Sequence, residues 1–338
     1  MPVKLKDIYQ KSADLTCLIQ WLIGLNVLID LNGETCKSCE TGKFGLRKDS
    51  SYSRDEHVWR CSNKKCHKKV SVRVGSWFEN HKLTLEKILL ITYFWVYQVS
   101  ELFVRHELEI ACQTIVDWYN FAREVCTCVL EKESEKIGGE GKVVEIEESK
   151  FGKRKFHKGR KVEGVWVFGG IERGSKKCFF TTVTDRSRET LLGIIKQNIL
   201  PGTTIISDCW KAYDILDQEG FDHLKVNHSL HFVDPTTGAH TNTIESTWRA
   251  LKKSLPVSGT VKSLYDTYFS QYCIRKKYLK DSSDPFLKFL ELIKSVYNPQ
   301  ILIPQLTSDK PTSPKKQRHV LLPILSPNIN DSMDDFDI

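Results

Sequence analysis

Three acidic residues stand where a reaction would need a rigid carboxylate. Glu147 closes the run VVEIEE, in which apolar Val144 and Ile146 alternate with Glu145 and Glu147. Asp208 follows the apolar run TTIIS directly, and Glu245 opens the helical pattern in HTNTIESTWRALKK. The acids are 61 and 37 residues apart. A carboxylate at the end of a buried strand is held by backbone and can share a site with the end of another strand. Hard oxygen donors suit magnesium or manganese, and clustered carboxylates repel one another and so attract divalent cations. Two such cations can activate a water or a 3′-hydroxyl and stabilise a leaving alkoxide, which is the chemistry of phosphodiester cleavage and strand transfer. Each acid taken alone reads equally well as a solvated surface group.

Cysteines supply a second pattern. Cys36-Lys-Ser-Cys39 is followed after 21 residues by Cys61-Ser-Asn-Lys-Lys-Cys66. Two pairs on separate turns can place four thiolates tetrahedrally around zinc, and a closed site of that kind contributes folding free energy directly. The second pair is more widely spaced than usual, so His57 and His67 are alternative ligands. Arg60, Lys64, Lys65, Lys68, Lys69 and Arg73 would surround the site with positive charge, as in a zinc ribbon that meets nucleic acid.

The elements that must position these groups follow from periodicity. Residues 12–29 read as an amphipathic helix, and Thr84 caps an apolar helix running to Val99. Helical segments over 101–108 and 112–130 fit a helix-turn-helix in which Gln113, Thr114, Asp117 and Asn120 face a groove while Ile115, Val116 and Trp118 pack. An interdomain bundle would explain the same residues. Beyond the charged, glycine-containing stretch EKESEKIGGEGK, β-branched runs indicate strands. RSRETLLGIIKQNI has helical spacing. Helices over 210–218 and 243–255, with a strand over 223–226 between them, complete a mixed α/β sheet. The resulting division is an N-terminal helix (1–33), a cysteine ribbon (34–80), a helical region (81–130), a linker (131–142), an α/β domain (143–298) and a disordered tail (299–338), within which SPKKQRH is a small basic patch.

Composition narrows the function classes. The 338 residues carry a net charge of +8 with 40% hydrophobic content, enough for a buried core and mildly in favour of a polyanionic partner. Eleven cysteines in a chain this long do not make a secreted disulfide scaffold. The N-terminal residues lack the apolar run of a signal peptide, and 85–99 is short for a membrane span. The expectation is a soluble intracellular protein, nuclear in a eukaryote and otherwise cytoplasmic, with no membrane and no small-molecule substrate. The segment KFGKRKFHKGRK is the clearest basic patch; Lys153, Arg154, Lys155, Lys158 and Arg160 within it are the candidate phosphate contacts. On the helix that carries Glu245, Arg249 and Lys252 lie at i+4 and i+7 on the same face. Trp248 reads as packing, and His240 and Asn242 as residues that could orient a phosphate.

The stretches VVEIEESKFGKRKFHKGRKVEGVWVFGGIER, TVTDRSRETLLGIIKQNILPGTTIISDCWKAY and HFVDPTTGAHTNTIESTWRALKK, in this order, resemble the Merlin superfamily of cut-and-paste DNA transposases and their bacterial insertion-sequence relatives. The similarity reaches back through CHKKVSVRVGSWFENHKL to the cysteine pairs, over roughly residues 15–285. It implies an RNase H-like catalytic core with a DDE-type triad, preceded by a zinc ribbon and a helix-turn-helix-like region, acting on DNA with Mg²⁺ or Mn²⁺ as a homo-oligomer. Asp208 in SDCWKAY matches the second acid of the family and Glu245 in NTIESTW the third. The first is usually the Asp of EIDES, and Glu147 occupies its position in EIEES. Two functions follow as expectations: a transposase that cleaves transposon ends and joins them to target DNA, or a transposase-derived DNA-binding protein without catalysis.

Overall fold

The structure, a computed structural model, describes residues 2–51, 55–152, 164–227, 233–256 and 261–306. The chain begins with two short helices, α1 (Leu5–Ser12) and α2 (Leu15–Gly24), where a single helix was expected. Asp14 divides them. It adopts an extended conformation, and its side chain accepts a hydrogen bond from the Thr16 N–H, capping α2. A three-stranded antiparallel sheet follows, β1 (Phe44–Lys48), β2 (His57–Cys61) and β3 (Lys69–Ser71).

Three helices come next: α3 (Leu85–Val96), α4 (Glu101–Leu108) and α5 (Cys112–Glu133). The Thr84 side chain caps α3, as its sequence indicates. Helix α3 is buried along nearly its whole length, so apolar residues occupy all of its faces. Between α4 and α5 the turn is made by Glu109, which takes a left-handed conformation at φ 50°. Of the expected groove residues on α5, Gln113 is exposed, while Thr114, Asp117 and Asn120 are half-buried; Ile115 and Trp118 are buried.

The remaining elements are β4 (Ile137–Gly138), β5 (Val143–Phe151), β6 (Val165–Glu172), β7 (Cys178–Val183), α6 (Arg188–Asn198), β8 (Ile199–Leu200), β9 (Thr204–Asp208), β10 (Asp222–Val226), α7 (Asn242–Ser254), α8 (Tyr265–Ile274), α9 (Pro285–Val296) and α10 (Ile303–Leu306). Five of them form a mixed sheet in the order β10-β9-β5-β6-β7. β5, β6 and β7 are an antiparallel meander, and β9 and β10 add in parallel on the other side of β5. This agrees with the mixed sheet expected of an RNase H-like core. The helix anticipated over 210–218 is instead two 3-10 turns, Lys211–Tyr213 and Leu216–Glu219. Their buried residues, Tyr213 and Leu216, are three apart, the spacing that a 3-10 turn aligns.

Helices cover both faces of the sheet. Leu191 and Ile195 of α6 pack with Val144, Ile146, Phe168 and Ile205 on one face. Ile244, Trp248 and Leu251 of α7 and Phe269 of α8 pack with Phe151, Val167, Ile171 and Phe180 on the other. The alternation along β5 sorts its residues between these faces. A separate core joins the N-terminal elements to the C-terminal ones, with α9 inserting Phe286, Phe289 and Ile293 against α3. Arg275 fastens this junction. Its guanidinium donates to Val96 O at 2.8 Å and to Trp95 O at 2.5 Å, adding donors to carbonyls in the last turn of α3.

Helix α7 approaches the sheet closely because Gly169 lies beneath it. A Cβ there would stand 2.5 Å from the Phe180 ring and 2.8 Å from Trp248 Cη2. Gly169→Ala is expected to destabilise the fold by about 1–3 kcal/mol through overpacking. Gly193→Ala, in α6 with nothing near the added methyl, is expected to stabilise by about 0.5–1 kcal/mol. Thermal unfolding of both variants checks this, and equal effects would refute it.

Candidate active site

Glu147 lies on β5 opposite Gly169 of β6. Asp208 is the last residue of β9. The parallel pairing of β5 with β9 ends at Glu145 and Ile206, so Glu147 and Asp208 each lie two residues beyond the last pair. Asp208 therefore emerges at the carboxyl end of β9, whereas Glu147, expected at a strand end, lies in the middle of β5, which runs on to Phe151 beyond the point where β9 stops. Glu245 lies in the first turn of α7 and accepts from Thr241 Oγ1 at 3.5 Å.

The three acids act on one another electrostatically. Burial first, then the charges of Glu245 and Asp208, raise Glu147 from its usual 4.5 to about 7. Among the described residues Glu147 Oε2 is buried without a hydrogen-bond partner, although the nearby Trp248 indole N–H acts against the rise. An orphaned acceptor among like charges fits a cation as its missing partner. The acids do not close around a single ion: among the described residues, only the cysteine cluster brings three or more potential ligand atoms all within 4.8 Å of one another. A site for two ions roughly 3.5–4 Å apart does not require one ion to reach all three.

Glu145 and Arg173 were not recognised as a unit in the sequence. Glu145 is fully buried and accepts from Arg173 Nε at 2.6 Å and from the Ile244 N–H at 2.8 Å. Arg173 also donates to His240 O at 2.5 Å and meets His240 Nδ1 at 2.9 Å. The carboxylate thus caps α7 one residue before Glu245, a favourable place for negative charge. It ties the helix of the third acid to the strand of the first. The signal was the two-residue alternation that puts Glu145 and Glu147 on one face; its partner Arg173, 28 residues away, carried none. His240, read as a phosphate-orienting residue, is engaged in this clamp instead.

Glu148 points to the opposite face, where burial raises its pKa. Lys252 lies against β5, donating to Ser149 Oγ at 2.7 Å, and Arg249 is exposed one helical turn away. Lys153, Arg154, Lys155, Lys158 and Arg160 lie outside the described residues.

The second cluster is complete. Cys36, Cys39, Cys61 and Cys66 converge, with Sγ–Sγ separations of 3.6 Å for Cys36–Cys66 and Cys39–Cys61. A tetrahedron with Zn–S of about 2.3 Å needs sulfurs roughly 3.8 Å apart. Backbone N–H groups of Gly42 and Asn63 point at Cys39 and Cys61, each at 3.4 Å. Gly42 has to be glycine, since a Cβ would stand 2.3 Å from Cys61 Sγ. Hydrogen bonds from the Thr41 and Gly42 backbone pull Cys39 down to about 6, while burial pushes Cys61 up to about 12. The alternative ligand His57 is occupied by Asp55 O and Thr16 Oγ1. Arg73 leaves the expected basic rim: it is buried in an ion pair with Asp55. Arg60, Lys64, Lys65 and Lys68 remain exposed.

The raised pKa of Glu147 has a consequence for stability. A group that binds its proton more tightly when folded contributes stability that is fully present below its unfolded pKa and is lost as pH rises through its folded pKa, here from about 4.5 to about 7. In chelator, the wild-type melting temperature is expected to fall more between about pH 5 and about pH 8 than that of Glu147→Gln. Millimolar Mg²⁺ is expected to offset this extra loss. Parallel profiles for the two proteins would refute the assignment.

Similarity to known proteins agrees with this arrangement. Residues 134–279 match the family model of the ISXO2-like transposase domain. An uncharacterized transposase-like protein of Haemophilus influenzae is 29% identical over 96 residues, spanning 28% of this chain and 76% of that protein. The catalytic core domain of BIV integrase aligns over 46% of this chain and 97% of its own, at 12% identity and a TM-score of 0.28. The last figure is too low to support the fold, which rests here on strand order and polarity. The chain carries, across residues 134–279, an insertion-sequence-type DDE transposase domain.

Proposed function

We propose that the protein is a metal-dependent DNA transposase that cleaves DNA at transposon ends and joins it to a target. The observation that carries this is that the charges of Asp208, at the end of β9, and Glu245, in the first turn of α7, both raise the pKa of Glu147 on β5. In this reading the three carboxylates hold Mg²⁺ or Mn²⁺, which supplies a stabilised alkoxide and an activated water or 3′-hydroxyl. Glu145 and Arg173 fix the distance of α7 from β5. Arg249 and Lys252 flank the path of the bound strand, and the basic segment that includes Lys153, Arg154, Lys155, Lys158 and Arg160 neutralises further phosphates.

A second reading, a transposase-derived DNA-binding protein without cleavage, is favoured by one residue. Glu147 is one methylene longer than the Asp of the resembling family, and misplacement of about an ångström can reduce a rate on the order of a hundredfold. The test uses a supercoiled plasmid carrying the genomic sequences that flank the coding region on each side. Wild-type protein with Mg²⁺ or Mn²⁺ is expected to nick it, Asp208→Ala to abolish nicking, and Glu147→Asp to raise the rate by up to about a hundredfold. Specific binding without nicking in the wild type, with nicking gained in Glu147→Asp, would establish the second reading.

We also propose that the four-cysteine cluster is a structural zinc site, and that the basic residues beside it and helix α5 contact DNA. Elemental analysis is expected to find about one zinc per chain, and Cys36→Ser to remove it with loss of thermal stability. A folded, metal-free wild-type protein would refute the zinc assignment.

A further inference from the structure

The exposed Trp210, the half-buried Trp166 and Arg186 gather beside Asp208, and the site as described leaves them without a role. Trp210 follows Asp208 by two residues, and its backbone N–H donates to Asp208 Oδ1 at 3.0 Å. Its side chain is 41% exposed. The Arg186 guanidinium lies 4.0 Å from the Trp166 ring centroid and 4.9 Å from that of Trp210. The Trp210 indole N–H reaches back to Arg186 O at 3.4 Å, which fixes the ring relative to the loop after β7. Lys150, opposite Trp166 across the β5–β6 ladder, places its ammonium 5.4 Å from the same ring.

Among the described residues Arg186 makes no ion pair, although its charge is felt by Glu148. A cationic, aromatic surface of this kind suits a base, which can stack on an indole, and the phosphate attached to it, which can meet a guanidinium. Position adds to this. Trp166, the second residue of β6, pairs with Lys150 of β5, three residues along that strand from Glu147, and shares the sheet face of Glu148. The charge of Asp208 reaches both Glu147, on the α7 face, and Glu148, on the opposite face. Asp208 is also the residue to which the Trp210 backbone N–H is bonded.

We infer that Trp210, with Arg186 and Trp166, is a stacking platform for an unpaired base of the DNA strand whose phosphate lies at the acids. This rests on the reading of those acids as phosphodiester-handling groups. A base drawn onto Trp210 would leave the duplex next to the phosphate, so the favoured substrate is a strand unpaired at that point.

The test is binding of a fluorescently labelled single-stranded oligothymidylate, followed by anisotropy in chelator so that no cleavage occurs. Trp210→Ala is expected to weaken binding at least about fivefold, the lower end of what one stacked base contributes, without altering the salt dependence. Trp210→Phe keeps an aromatic face and is expected to stay within about threefold of wild type. Arg186→Ala is expected to weaken binding and also to reduce the salt dependence. Wild-type affinity in a Trp210→Ala protein with an unchanged melting temperature would overturn the inference. Equal losses in Trp210→Ala and Trp210→Phe would overturn it as well. If the Trp210 effects on binding are found while wild-type protein fails to nick DNA with Mg²⁺ or Mn²⁺, the platform stands and the catalytic reading falls.

Discussion

Like charge held together at a half-buried site is the constraint on which the rest of the structure depends. Carboxylates left free would move apart. Here Glu147 and Asp208 are fixed by adjacent parallel strands, and Glu245 is fixed by a helix that is itself tethered. The result is a carboxyl raised to about 7 and an orphaned acceptor oxygen. Such a site is unfavourable until a cation fills it, and stability lost at functional positions must be supplied by the surrounding scaffold.

The supports can be named. Glu145 is the fourth acid of the region and the one whose charge is matched: Arg173 and the start of α7 satisfy it. One strand therefore carries a neutralised carboxylate and an unneutralised one, two residues apart. Gly169 lets Trp248 settle onto the sheet, which holds α7 at a distance where Glu245 can face Glu147. Farther away, Arg275 and the aromatic contacts of α9 bind the C-terminal helices to α3.

Much of this was legible in the sequence. The alternation in VVEIEE gives the strand and the face of Glu147, and the cysteine spacing gives the metal-ligand cluster. The strands and most helices appear near their expected positions, since period-two and helical patterns report burial directly. Two features were not legible. The helix expected over 210–218 became two 3-10 turns because apolar residues three apart are compatible with either form. The clamp between Glu145 and Arg173 depends on a contact across the sheet, which no local pattern encodes. Arg73 was misread for a similar reason: its charge suggested a surface, but its partner Asp55 is brought to it only by folding.

Glu147 stands where the resembling family has Asp, which makes the chemistry of the site the open variable. Cation binding and cleavage are separable: the first needs converging carboxylates, the second their placement to within about an ångström. The most direct measurement of the central claim is calorimetric titration of Mn²⁺ into zinc-loaded wild-type protein and Asp208→Asn at neutral pH. The account predicts saturable binding of at least one Mn²⁺ in the wild type that is lost in the variant. Identical titrations for the two proteins would contradict it.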